Sequence, residues 1–198
     1  MAGSALNVQQ GRDFAFYDAV YASTNAMPAD SAAQTAPGGP WRDVGYTDGG
    51  LGFNIGTTYD DVGVDQEIDR IAVIPTGRDV RITAQLAEFT LTNLQASIGQ
   101  GTVTTVAATS GVRGHTDLAL SNTIGVNYRS ALAQVKRSLS ADQEDFRIAV
   151  WRGQCQASVQ ATFQAGQKSI IPYEIRAFPD PNNGNRVMTM RQVLAPLP

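Results

Sequence analysis

Cysteine and histidine are almost missing from this chain: Cys155 and His115 are the single representatives of their types. A lone cysteine excludes an intramolecular disulfide, and one of each excludes the usual zinc site of four Cys/His ligands. A Ser/His/Asp site would depend on His115, which lies in the Gly-rich stretch Gly111–Asp117 and reads as a surface-loop histidine. Charge is also scarce, with 17% Asp, Glu, Lys and Arg and a net charge of −3. That balance argues against a free-standing nucleic-acid binder, which needs a basic face to hold phosphates. No apolar run approaches the roughly 20 residues of a membrane-spanning helix. The opening Met1–Asn7 lacks a basic region followed by an apolar one, so no signal peptide is expected and the chain reads as made and used, or assembled, in the cytoplasm.

Ligand motifs are equally thin. Asp180–Asn185 resembles the start of a calcium loop, but Gly184 comes one position early and Arg191 stands where the closing Glu belongs. The clusters Asp60-Asp61 and Asp65-Gln66-Glu67 read as solvated loops. Phosphate-cradling and dinucleotide fingerprints are absent. The residues therefore predict no enzyme, no cofactor and no metal.

What the sequence does contain is alternation. From Gln154 to Phe163 the odd positions Cys155, Ala157, Val159, Ala161 and Phe163 are apolar, and the even positions are polar and uncharged. This period predicts a half-buried strand over 154–164, with Cys155 as a small hydrophobe on its inner face. Residues 68–74 and 79–87 read as two strands of a hairpin turned at Pro75–Arg78. In the second, Val80, Ile82, Ala84 and Leu86 alternate with Arg81, Thr83 and Gln85. The period then changes: Phe89, Leu91, Leu94 and Ile98 suit a short helix closed by a left-handed Gly99. Residues 53–63 suit a strand and a mobile loop, and 100–117 a Gly/Thr/Ser-rich loop. Further strands are predicted over 123–137, 145–152, 168–178 and 186–191. The Pro- and Gly-punctuated residues 1–40 read as an extended arm or linker, with the ordered domain beginning at Trp41. The fold class that follows is mainly β, an antiparallel sandwich or half-barrel with one flanking helix.

Three stretches resemble one family. The motif Trp41-Arg42-Asp43-Val44-Gly45-Tyr46-Thr47-Asp48-Gly49-Gly50 is similar to the opening motif of the major tail proteins of long-tailed, siphovirus-like bacteriophages. Val80–Gly99 resembles that family's strand running through Leu-x-Glu (Leu86-Ala87-Glu88) into a helix that ends in glycine. Ile170–Asp180 is similar to its closing strand, although Ile175 stands where the family usually has Phe. The resemblance covers the chain from about residue 41; the arm matches only loosely, around Pro28.

The resemblance implies a virion tail tube subunit: hexameric rings of this chain, stacked into a hollow tube whose inner wall is one large β-barrel. It also implies tape measure, tail-tip and terminator proteins as partners, transient passage of double-stranded DNA, and no membrane. The polar strand faces supply lumen-facing candidates: Gln154, Gln156, Ser158, Gln160 and Thr162 on one strand, Arg81, Thr83 and Gln85 on another, with Asp69 nearby. The alternative is that these faces meet outer solvent. A ring would repeat the Arg81 charge around the lumen unless a carboxylate such as Asp69 or Glu67 neutralises it. A β-sandwich binding or decoration module, and a secretion-system tube of the same fold, are the competing functions.

Overall fold

A computed structural model of the chain describes residues 13–30, 37–66, 68–122, 125–136, 145–161, 163–164 and 166–193. The fold is mainly β and antiparallel, a sandwich with one flanking α-helix among the described residues. The strands are β1 (Asp13–Val20), β2 (Arg42–Asp43), β3 (Thr47–Val62), β4 (Ala72–Leu86), β5 (Thr102–Val106), β6 (His115–Ala119), β7 (Tyr128–Lys136), β8 (Asp145–Cys155), β9 (Ile171–Phe178) and β10 (Thr189–Gln192); the helix α1 is Leu91–Ile98.

The main sheet runs β2-β1-β7-β8-β9-β4-β3, and β10 also pairs with β8. β8 serves two neighbours along one edge: β10 lies beside Phe146–Ala149 and β9 beside Arg152–Cys155. From this fork the sheet curls back on itself. Phe16 on β1 and Tyr173 on β9 are separated by β7 and β8 in strand order, yet their rings meet edge to face with centroids 5.3 Å apart. Between the two halves lies the core, with Ile82 and Leu86 of β4, Ala131 of β7, Val150 of β8, and Ile171 and Ile175 of β9 fully buried. On β4 and β9 the buried residues alternate, as one buried face requires, whereas the middles of β7 and β8 are buried on both faces.

Packing is tight where β8 meets β9. A Cβ added at Gly153 would lie 2.5 Å from Ile175 Cγ1, so only glycine fits. One end of the core is closed by α1. Thr90 caps its N-terminus by accepting from the Asn93 N–H at 3.1 Å, and Gly99 ends it in the left-handed region at φ 65°.

Several expectations are corrected. β4 is continuous from Ala72 to Leu86, and its hairpin partner is β3. Pro75 does not turn the chain because it sits at a bulge opposite Tyr59, in the part of β4 with no second neighbour, where a missing N–H costs no ladder bond. The strand expected over 154–164 ends at Cys155, as the tail of β8. One bond continues past it, from the Gln156 N–H to the Glu174 carbonyl at 2.9 Å. Beyond that, Pro172 on β9 has no N–H, and its carbonyl accepts from the Ser97 hydroxyl of α1. Half-burial at Ala157 and Val159 preserves the alternation without the ladder. Residues 100–117 are not simply a loop: β5 and β6 pair as a small separate hairpin, with the Thr105 and Thr116 hydroxyls 3.2 Å apart across it.

The arm reading fails for β1, an interior strand paired with β7 along its whole length and carrying buried Phe16 and Tyr17. The segment after β1 is also packed. Trp41, Trp151, Tyr17 and Leu132 form a second apolar cluster on the opposite face of β1, β7 and β8. The Trp41 indole N–H donates to the Ala26 carbonyl at 2.9 Å, and Arg147, fully buried, donates to the Pro28 carbonyl at 2.9 Å.

Candidate assembly surface and polar sheet face

The β3–β4 hairpin outruns the domain that carries it. β4 pairs with β9 only through Arg81–Leu86, whereas it pairs with β3 out to Ala72. At about 3.3 Å per residue, roughly 30 Å of two-stranded ribbon projects past the last β9 contact. Ribbons of this kind normally need a packed face to persist. This one carries such a face. Pairing places Phe53 with Ile82, Ile55 with Val80, Tyr59 with Pro75 and Asp61 with Val73. The row that is buried at Ile82 and Val80 thus continues outward through Ile55 (48% exposed), is interrupted by the polar pair Thr57 and Arg78, and resumes at Tyr59 (58%) and Val73 (57%). Ile68 and Ile71 add exposed apolar surface at the tip.

β3 is also a sheet edge of 16 residues, with no second strand neighbour among the described residues. The opposite edge is the two-residue β2. At the hairpin's foot an apolar cavity of about 470 Å³ is lined by Phe14, Leu51, Phe53, Val135, Phe146 and Ile148. Gly49 and Gly50, both at positive φ, form the bulge that admits Leu51 to this row.

The other face of the same strands is polar. Three cross-strand rows run over it: Asn54, Arg81, Arg176 and Gln154; Gly52, Thr83 and Glu174; Asp48, Gln85 and Pro172. The two candidate sets from sequence are therefore brought onto one surface, joined by β9. Gln156 remains attached through its bond to Glu174. Ser158 and Gln160 are exposed but lie past the end of β8, and Thr162 falls outside the described residues. Asp69 is exposed in the β3–β4 connection, at the far end of the ribbon from Arg81.

The carboxylates that neutralise Arg81 do not include the Asp69 named from sequence. Asp69 is remote, and Glu67 falls outside the described residues. Arg81 Nε donates to Asp79 Oδ2 and its Nη1 to Glu174 Oε1, both at 2.6 Å. Asp79 Oδ1 also lies 2.7 Å from Arg176 Nε. The hydrogen bond from Arg81, reinforced by the positive charge of Arg176, holds the Asp79 carboxyl below its ordinary range. Asp79 was legible in principle, since position i−2 of a strand shares the face of Arg81. Glu174 needed the register with β9.

A second polar cluster is buried inside. Asp18, fully buried, pairs with Arg42 at 2.7 Å and with Arg129. Arg42 Nη1 donates to Asn93 Oδ1, and Asn93 donates to the Val44 and Glu88 carbonyls at 3.0 and 2.9 Å. This network fastens β1, β2 and α1 to one another. Burial pushes the nearby Cys155 thiol up to about 11 and the Tyr173 hydroxyl well above its ordinary value.

His115 is on β6 instead of in a loop, exposed, with Nε2 3.5 Å from Asp117 Oδ2. An aromatic set also reaches the surface: Arg152 lies 4.0 Å over the Tyr128 ring, which is flanked edge to face by Tyr21 and Phe178. In comparisons with known proteins, no family model matches this chain and no curated protein sequence matches it.

Proposed function

We propose that this chain is a structural subunit that joins copies of itself edge to edge into hexameric rings, stacked as a hollow tail tube through which double-stranded DNA passes. The observation that carries this reading is the β3–β4 hairpin: a long open edge that outruns its pairing with β9 and bears exposed apolar residues on the face that is buried at Val80 and Ile82. A free edge of this length is an aggregation hazard unless a partner strand pairs with it. The half-exposed Phe53, Ile55, Tyr59 and Val73 would each contribute about 1 kcal/mol on being covered. Ring closure satisfies both demands at once, with β3 and β4 joining a continuous barrel. The polar face of β4, β9 and β8 then becomes the inner wall, and tape measure, tail-tip and terminator proteins become the partners of tube and ends. The motif resemblance from Trp41 onward points the same way.

Negative-stain microscopy of purified protein tests it. Rings or tubes are the expected outcome. Compact monomers only, at high concentration, in several salts and with tail-tip components added, overturn it. The aromatic set around Tyr128 and Arg152 favours a second reading, a β-sandwich binding or decoration module. That reading requires Tyr128→Ala to abolish attachment to a virion or host surface while leaving the oligomeric state unchanged.

A further inference from the structure

Arg81 and Arg176 stand directly opposite each other on β4 and β9. Like charges in that relation repel and weaken a sheet. Here they are answered at once: Asp79 places one carboxylate oxygen 2.6 Å from Arg81 Nε and the other 2.7 Å from Arg176 Nε, and Glu174 takes Arg81 Nη1 at 2.6 Å. Two positive and two negative charges thus cancel within one patch. The neighbours in the same rows, Asn54, Gln154 and Thr83, are neutral. The guanidinium side chains are 39% and 41% exposed, so they face solvent instead of serving a buried core. A bare guanidinium in such a place is a ready phosphate ligand, with a planar fork of donors.

We propose that Asp79 and Glu174 are masking carboxylates: held against the guanidinium groups of Arg81 and Arg176, they neutralise them and make this face non-adhesive to duplex DNA. The inference rests on the reading of this face as the wall past which DNA moves. Each arginine freed on the wall would be repeated in every copy and would add a phosphate contact that sliding must break. Each such contact contributes a slope of about −0.9 in log K against log salt. The arginines themselves strap β4 to β9 next to the point where the ribbon leaves the domain. Their carboxylate partners let them do so without gripping a passing polyanion. Asp79, held ionised below the ordinary carboxylate range, keeps the mask in place in mildly acidic solution.

The test is chromatography of the purified full chain on immobilised random-sequence duplex DNA at low ionic strength. The wild-type protein is expected to flow through. Asp79→Asn/Glu174→Gln is expected to be retained and to elute as salt is raised; Glu174→Gln alone, which leaves Asp79 between the two arginines, is expected to shift less. Adding Arg81→Gln and Arg176→Gln should restore flow-through. Asp65→Asn/Asp117→Asn changes net charge equally but lies off the face, and should not be retained.

Circular dichroism and melting temperature establish that each variant is folded. If the double variant unfolds, the reading passes to Glu174→Gln. Folded variants that flow through overturn the proposal, as does equal retention of the off-face control. Rings or tubes are scored separately: their absence in wild-type protein counts against the tube reading alone, and assembled variants that still ignore DNA count against the masking role alone.

Discussion

The buried polar groups govern how single residues behave. Asp18 carries two arginine partners inside the fold, so Asp18→Asn leaves Arg42 and Arg129 without a counter-charge in a water-poor site. A loss of about 3 kcal/mol is expected, measurable by urea unfolding, because an uncompensated buried charge is the costly part of breaking such a pair. Cys155 is protected in the opposite sense. With its thiol pushed up to about 11, almost no thiolate exists near neutrality, and alkylating reagents should label it only after unfolding. The same shift has a sign in stability. The unfolded thiol loses its proton around 9.0, the folded one around 11, so the unfolded state binds fewer protons in that window. Stability should therefore be complete below pH 9 and fall as pH rises toward 11, with Tyr173 acting in the same direction. A melting series across this range checks it; Cys155→Ala should flatten the decline. For Asp79 the sign is reversed: its contribution is present above the ordinary Asp range and is lost only as pH falls below it.

At the level of elements, α1 is the best-specified piece. Its apolar spacing and Gly99 were readable in sequence, and the Thr90 cap explains where it starts. Thr90→Ala should cost about 1 kcal/mol, seen as a lower melting temperature. Gly153→Ala should cost about 1–3 kcal/mol, since the added carbon strikes Ile175 where two strands touch. The inner faces of β4 and β9 were equally legible, because Val80, Ile82, Ala84 and Leu86 alternate cleanly. Other elements were misread for physical reasons. Pro75 looks like a turn until the open edge of β4 is known. The alternation after Cys155 looks like a strand until Pro172 and Ser97 are seen to take away its partner. β1 was hidden because its ladder partner β7 is remote in sequence, and a strand of mixed Phe, Ala, Tyr and Asp has no private core. The polar face was half legible: the residues were named, but their union through β9 required register, which local pattern does not contain.

At the scale of the whole molecule, removing the apolar row should separate folding from association. Tyr59→Ser/Val73→Ser lies beyond the last β9 contact, so the domain should melt as before while sedimentation shifts toward monomer. Unchanged association would mean that the ribbon does not hold copies together. On the proposed tube reading, Gln85→Lys/Gln154→Lys should permit assembly and slow DNA release from particles, because both positions lie on the polar rows and each added ammonium supplies a phosphate contact. β1 meets a different constraint during synthesis. Asp18 on β1 and Arg129 on β7 are 111 residues apart, and the intervening chain includes the entire β3–β4 hairpin and α1. At translation rates of about 5–20 residues per second, β1 waits several seconds or longer on the ribosome before its pairing strand exists. The local hairpin can close in microseconds, long before that. On the proposed reading, the nascent protein thus acquires the hairpin that joins copies before it can complete the domain that holds it, and β7 decides when β1 becomes part of a fold.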